Sequence, residues 1–193
     1  MLMYTVKFKG DFGFIKPWTA VRDGKTYSQQ FLTPSILEGI EKKLFPEMLS
    51  HNGEIKKIVR HKLNYEAIDI QKEQIQSRGW NILSKDKEMT RKRAILERGI
   101  MINPVLFLAF NELQDAETAA KQHICLCRNE DLMLPESTII QLTEEEFNNI
   151  GGYELRFGES EQSFLVGYNR FNNSEPMVGR LEISGNPAFN VNE

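Results

Sequence analysis

The first forty-five residues change from an alternating pattern to a helical one. Residues 4–9 alternate apolar and polar side chains, which predicts a half-buried strand. Residues 14–30 are polar, aromatic and basic without a clear period, so we expect a long loop there. Apolar residues then recur at four-residue intervals from Ile36 to Leu44, which predicts a helix.

The boundaries of that helix carry their own signals. Thr33-Pro34-Ser35 predicts its start, because proline suits the first helical position. Ser35 and Glu38 have the spacing of a capping box. Pro46 is expected to end the helix.

The middle of the chain predicts strands around a polar segment. Residues 54–63 and 65–70 each favour a strand, the first with a kink. Residues 71–98 are polar and basic, which is typical of an extended hairpin or a mobile insertion outside the core. Residues 100–110 form the strongest candidate for a buried strand.

The second half is less regular. Residues 115–120 favour a short helix, residues 132–142 are ambiguous, and residues 143–147 resemble a capped helical turn. Residues 152–157 and 163–168 flank a Gly-Glu-Ser turn, which predicts a hairpin.

This order of elements predicts an α+β fold of the ferredoxin-like or RRM-like kind, an antiparallel sheet with helices on one face. With 193 residues, we expect a single domain over 1–193 with an insertion at 71–98. Such a fold does not by itself determine a function.

Composition and charge narrow the class of protein. The longest apolar run is too short to span a bilayer and the N-terminal residues lack the features of a signal peptide, so we expect a soluble cytoplasmic protein. Residues 1–110 hold 19 Lys and Arg against 12 Asp and Glu, whereas residues 111–193 hold 5 against 15. A basic first half favours a polyanionic partner, although the two kinds of charge could also mix on folding.

The loop before the first helix combines cations with flat rings. Its candidate residues are Lys16, Trp18, Arg22, Lys25 and Tyr27. Single-stranded nucleic acid needs cations for its phosphates and rings for its unstacked bases. Alternatively, Trp18 anchors the loop to the core and the cations face water.

The insertion at 71–98 could extend over a phosphate backbone or could be a solvated charge run. Its candidate phosphate-binding residues are Arg78, Arg91, Lys92 and Arg93. Arg60 and Lys62 would lie on one face of a strand and could also bind a backbone, with His61 on the other face.

Catalytic and metal-binding signals are weak. Lys121 and His123 could assist a metal-independent cleavage of RNA, but cations at the end of a helix explain them as well. Cys125 and Cys127 are expected to be inert. We found no nucleotide-binding loop, zinc-protease or kinase motif, and we expect no cofactor and no metal.

Several segments, taken in order, resemble the fifth family of CRISPR-associated proteins, RAMP-type subunits that cap the 5′ end of a guide RNA; subtype I-C is nearest. The matching residues are Lys9-Gly10-Asp11-Phe12, Lys16-Pro17, Tyr27, Phe31-Leu32-Thr33-Pro34-Ser35, Gly39-Ile40, Leu44-Phe45, the basic residues Arg91 and Arg93 before Ile95-Leu96, and, more weakly, 164–171.

The resemblance implies an RRM-like domain in which residues 71–98 form a thumb and Arg170 joins the RNA-binding residues. It also implies three kinds of partner: guide RNA, a backbone subunit of the seventh Cas family, and a large or nuclease subunit. Target nucleic acid would be contacted indirectly, and no membrane is implied. Members of subtype I-C cleave RNA with a tyrosine near the position of Phe45, which has no hydroxyl.

Three hypotheses therefore remain. We favour a non-catalytic RNA-binding subunit of a CRISPR effector complex. The alternatives are a metal-independent endoribonuclease that uses His123, and a ferredoxin-like interaction protein without RNA.

Overall fold

The computed structural model describes residues 2–17, 24–76, 80–83, 88–90 and 93–188. The strands are β1 (Leu2–Lys9), β2 (Phe12–Gly13), β3 (Lys25–Tyr27), β4 (Ile58–Asn64), β5 (Ala67–Gln76), β6 (Asn81–Leu83), β7 (Glu88–Thr90), β8 (Arg93–Ile102), β9 (Val105–Phe110), β10 (Ile124–Cys125), β11 (Leu132–Thr143), β12 (Gly152–Phe157), β13 (Phe164–Asn169) and β14 (Glu175–Ser184). The helices are α1 (Pro34–Leu44), α2 (Leu113–Ala119) and α3 (Glu144–Asn148), and a 3-10 turn covers Pro46–Ser50.

An eight-stranded antiparallel sheet forms the body of the protein, in the order β10-β11-β1-β9-β4-β12-β14-β13. Together with the few helices, this confirms the expected α+β class. Strands from residues 111–188 occupy both flanks of the sheet, so the acidic half of the chain completes the sheet around β1, β9 and β4.

Helix α1 covers one face of this sheet through Leu37, Ile40 and Leu44, which are buried in the main core with Phe8 and Phe110. The helix begins after Thr33 with proline in its first turn, as predicted, and its last residue is Leu44, two positions before Pro46. Burial of this apolar face is the main stabilising contribution of the helix.

The predicted capping box at Ser35 and Glu38 does not form. Thr33 is the N-cap residue, and it makes no side-chain capping hydrogen bond. Oε1 of Glu38 instead accepts hydrogen bonds from Lys42 Nζ and from the amide of Gly53. The capped turn predicted at 143–147 is confirmed, because Thr143 and Glu146 cap α3 reciprocally.

Residues 71–98 are built around a long hairpin, one of the two predicted alternatives. Strand β5 pairs with β8 along its whole length, from Ala67 opposite Ile102 to Gln76 opposite Arg93. Strands β6 and β7 form a second, short ladder between them. The other edge of β8 holds β2 and the parallel strand β3.

The hairpin predicted between 152–157 and 163–168 is wrong. Strand β12 pairs with β14 and with β4, and β13 pairs with β14, so β14 lies between the two segments. A turn does form between the two segments, at 160–163, but local turn residues do not specify which strand becomes the neighbour.

Candidate nucleic-acid interface

Tyr27 is held flat against the base of the hairpin. Strand β3 runs parallel to β8 with Tyr27 opposite Gly99, and the tyrosine ring lies on that glycine, since a Cβ added at Gly99 would clash with Cδ1 of Tyr27. Tyr27 remains 51% exposed. Lys25 Nζ lies 5.5 Å from the centre of its ring, and hydrogen bonding with Tyr27 raises the pKa of Lys25. The arrangement is a supported ring beside a cation.

Further cations share this face of the hairpin. Residues directly opposite in paired strands, and residues two apart along a strand, project to the same side. Lys25, Glu97 and Lys72 are register partners, and Arg93 is four residues before Glu97 on β8. We call the surface formed by Lys25, Tyr27, Lys72 and Arg93 the hairpin face.

The hairpin face carries a positive balance. Glu97 is its one carboxylate among the described residues of β3, β5 and β8 that share this side, and it lies 4.0 Å from Lys25 Nζ and 3.7 Å from Lys72 Nζ. Lys25 lies beside the supported ring, whereas Lys72 and Arg93 lie farther along the same face of the hairpin. A row of exposed cations with a ring at one end can bind the phosphates and bases of an unpaired strand. Three of the predicted residues, Lys25, Tyr27 and Arg93, thus share one face of the hairpin.

The opposite side of the hairpin base is a structural anchor. Arg98 and Arg128 both lie over the ring of Phe14, each 5.2 Å from its centre. Arg98 pairs with Glu73 at 3.0 Å, and Arg128 pairs with Asp131 at 2.6 Å and with Glu73 at 3.1 Å. The charges of both arginines are therefore paired with carboxylates, and Arg128 links β5 to the segment between β10 and β11.

A groove of about 1150 Å³ lies between α1 and the β13–β14 hairpin, and we call it the α1 groove. The predicted residues Lys16 and Arg170 both line it, together with Lys42. Three rings also line it, namely Phe157, Tyr168 and Phe171. Sequence reasoning did not select these rings as binding residues. Their signal is weak, since single aromatics in a strand pattern usually belong to the core.

Arg60 and Lys62 do not belong to a surface, and their assignment as phosphate-binding residues is corrected. They share one strand face as predicted, but Arg60 is 6% exposed and Lys62 is 1% exposed. Arg60 makes a two-point contact with Glu154 at 2.6 and 2.7 Å. Lys62 Nζ donates to the carbonyl oxygens of Asn148 and Ile150, and burial lowers its pKa. Beneath α3, Glu154 therefore neutralises Arg60, and backbone carbonyl oxygens take the place of water around the ammonium group of Lys62.

His61 lies on the opposite face of β4, as the alternation predicts. It is 3% exposed, and its ring stacks on Phe157 with centres 5.7 Å apart and planes 26° from parallel. Burial, helped by the neighbouring charges of Arg60 and Arg156, lowers the pKa of His61 to about 3. The imidazole is therefore neutral and acts as a packing group.

Lys121 and His123 follow the end of α2 and are both exposed. Within the described residues, neither side chain has a hydrogen bond or an ion pair with another group, so no acid or base partner is in place. Trp18, Arg22, Arg78, Arg91 and Lys92 lie outside the described residues.

Cys125 and Cys127 are free thiols. Over the described ranges, no group of three or more His, Cys, Asp or Glu side chains is arranged to hold a metal ion. None of the helices in the described part of the chain is long and apolar enough to cross a bilayer.

Comparisons with known proteins bear on the fold. No family model and no curated protein matches the sequence. A chain from a solved structure described as a CRISPR RNA-guided surveillance complex is similar in structure, with a TM-score of 0.53 at 11% sequence identity. The match covers 96% of this chain and 91% of that chain. The two chains therefore share an overall fold.

Proposed function

We propose that this protein is an RNA-binding subunit of a Cascade-like CRISPR effector complex in the cytoplasm. In this proposal it binds and caps the 5′ handle of the guide RNA and contacts the neighbouring backbone subunit. The fold likeness over almost the whole chain supports the kind of complex. The observation that carries the RNA-binding part is the ring of Tyr27, supported by Gly99 with Lys25 beside it, on the same face of the hairpin as Lys72 and Arg93.

The roles of the residues follow from their chemistry. Lys25, Lys72 and Arg93 would bind phosphates and Tyr27 would stack on a base, since every base offers a π-face. Lys16 and Arg170 would contribute from the α1 groove. Trp18, Arg22, Arg78, Arg91 and Lys92 remain candidates of the same two kinds.

The hairpin is also the element that we propose to meet the neighbouring subunit. Three of its apolar side chains are exposed: Ile75 at 37%, Met89 at 59% and Ile95 at 63%. Exposed apolar side chains on an extended hairpin are typical of a surface that a partner covers.

The test is the affinity of the full chain for a repeat-derived RNA, measured by fluorescence anisotropy over a range of salt concentrations. If about five phosphates are contacted, log affinity should fall against log salt with a slope near −3.5, at about 0.7 per contact for a single strand. Absence of binding, or an affinity that salt does not change, would refute the proposal.

The same samples can be analysed on a denaturing gel after incubation in EDTA. An uncut RNA agrees with a binding subunit. Metal-independent cleavage that disappears in His123→Ala would instead make the protein a ribonuclease.

A further inference from the structure

The α1 groove contains rings that the protein holds from behind. Phe157 is covered on one side by the buried ring of His61, yet it is 42% exposed and lines the groove. His61 is neutral and almost fully buried, so its ring supports the inner face of the Phe157 ring in a fixed position. Phe157 is thereby oriented with little freedom, which lowers the entropy cost of stacking a ligand on it.

Two more rings stand further along the groove. Phe171 is 64% exposed, and Lys42 Nζ lies 5.8 Å from its centre. Lys42 is itself fixed by Glu38 and by Asn52, at 2.7 and 2.6 Å. Tyr168 is 55% exposed. Because these rings are so exposed, they contribute little to the core. A cluster of exposed apolar rings is typical of a binding surface.

The walls of the groove are joined to each other. Asn169, at the end of β13, donates a hydrogen bond to the carbonyl oxygen of Gly53. Gly53 has a φ of +79°, and a Cβ there would meet the Asn169 amide at 2.7 Å. This contact fastens the β13–β14 hairpin to the loop that precedes β4, so the groove is formed before a ligand arrives.

The charges at the groove favour an anionic ligand with flat groups. Lys16 and Arg170 are exposed, and neither makes an ion pair within the described part of the chain. Of the two carboxylates that line the groove, Glu38 is neutralised by Lys42, which leaves Glu159. Two open cations and three open rings fit an unpaired nucleotide strand better than an acidic or an apolar peptide.

We propose that the α1 groove is a second RNA-binding site, separate from the hairpin face, which takes two or three unpaired nucleotides by stacking their bases on Phe157, Tyr168 and Phe171 while Lys16 and Arg170 bind the phosphates. The inference rests on the proposed RNA-binding function. Because the rings contact the faces of the bases and not their edges, the site should bind unpaired strands of different sequence.

The experiment compares the full-length protein with Tyr168→Ala, Phe171→Ala and the double variant, using a fluorescein-labelled twelve-nucleotide oligoadenylate. Each lost ring should weaken binding about 5- to 150-fold, the range expected for one stacked base. Leu134→Ala is the matched control, because Leu134 is 57% exposed on β11, away from the groove. An oligonucleotide with abasic internal positions should bind the ring variants and the unaltered protein equally.

A second measurement does not depend on variants. Crosslinking with 5-iodouridine-substituted RNA joins a base to a ring that it stacks on, and mass spectrometry locates the joined residue. Crosslinks at Phe157, Tyr168 or Phe171 support the second site. If RNA binds but crosslinks form at Tyr27 alone and the ring variants keep their affinity, the second site is refuted and the proposed function stands. If the unaltered protein binds no RNA, both fall together.

Discussion

The ring of Tyr27 lies directly on the backbone of Gly99, which leaves no space for a side chain there. This contact joins β3 to the base of the hairpin and leaves the second face of the tyrosine open to solvent. A ring with one supported face and a cation nearby is a preorganised stacking surface.

Gly99→Ala should therefore weaken RNA binding, since the added methyl group displaces the tyrosine ring. We expect a loss of about 5-fold or more, at the lower end of the value of one stacked base. In a Tyr27→Ala background the same substitution should have no further effect on affinity. Gly24→Ala is the control, because a Cβ at Gly24 has no atom within 4 Å. Equal effects of Gly99→Ala in both backgrounds would contradict the role of the contact.

Removing single cations from the hairpin face should change the salt dependence of binding. Lys25→Gln and Arg93→Gln should each reduce the slope of log affinity against log salt by about 0.7, because each removes one phosphate contact from a single strand. Lys43→Gln, an exposed residue on α1 that does not line the groove, should leave the slope unchanged. Anisotropy titrations at four salt concentrations measure the slopes. A slope that falls equally in all three variants would show a general charge effect in place of specific contacts.

His61 makes folding stability depend on pH. Its pKa is about 3 in the folded protein against an ordinary value of 6.5. Between these pH values the unfolded chain binds a proton that the folded chain does not, so stability falls as the pH is lowered through this window. Within this window the free energy of unfolding falls by at most about 1.4 kcal/mol for each pH unit.

His61→Phe should remove this contribution while keeping a ring against Phe157. Urea unfolding at pH 7.5, 6 and 5 gives the difference in free energy of unfolding between the variant and the unaltered protein. That difference should shift in favour of the variant as the pH falls. Exposed His51, replaced by Gln, is the control. Parallel stability curves for His61→Phe and the unaltered protein would show that the imidazole is not buried in its neutral form.

Breaking the buried pair of Arg60 and Glu154 should destabilise the sheet strongly. Arg60→Ala leaves a carboxylate that is 1% exposed without its partner, and we expect the free energy of unfolding to fall by about 3–5 kcal/mol. Arg156→Ala should cost about 1 kcal/mol or less, because Arg156 is 38% exposed and 3.7 Å from Glu154. Denaturant titrations measure both. A loss of RNA affinity in Arg60→Ala without a loss of stability would contradict the burial of this residue.

The parts of the fold that depend on residues close together in the sequence were predictable. The helix from Pro34 follows from proline in its first turn and an apolar period, and the cap of Thr143 and Glu146 follows from local hydrogen bonding. Strand pairing was harder to predict from the sequence. The insertion of β14 between β12 and β13 depends on which apolar faces can be covered together, and the turn residues between β12 and β13 carry no information about that.

The candidate site divides in the same way. Lys25, Tyr27 and Arg93 were selected by residue type alone, but their common face depends on the register of β3 and β5 against β8. Arg60 and Lys62 were misassigned because a strand pattern places them on one face without showing that α3 covers that face. Phe157, Tyr168 and Phe171 were missed because exposure is a property of the folded surface.

The class of fold, the first helix, a polar and basic insertion at 71–98 and the kinds of side chain available for a polyanion could all be predicted from the amino-acid sequence. These depend on local periodicity, turn chemistry and charge, which are written along the chain. Which cations are exposed, which are buried and which rings keep a free face became clear from the folded structure alone. Those outcomes depend on contacts between residues far apart in the chain, such as Tyr27 with Gly99 and Arg60 with Glu154, because burial is set by the elements that come to lie on top of one another.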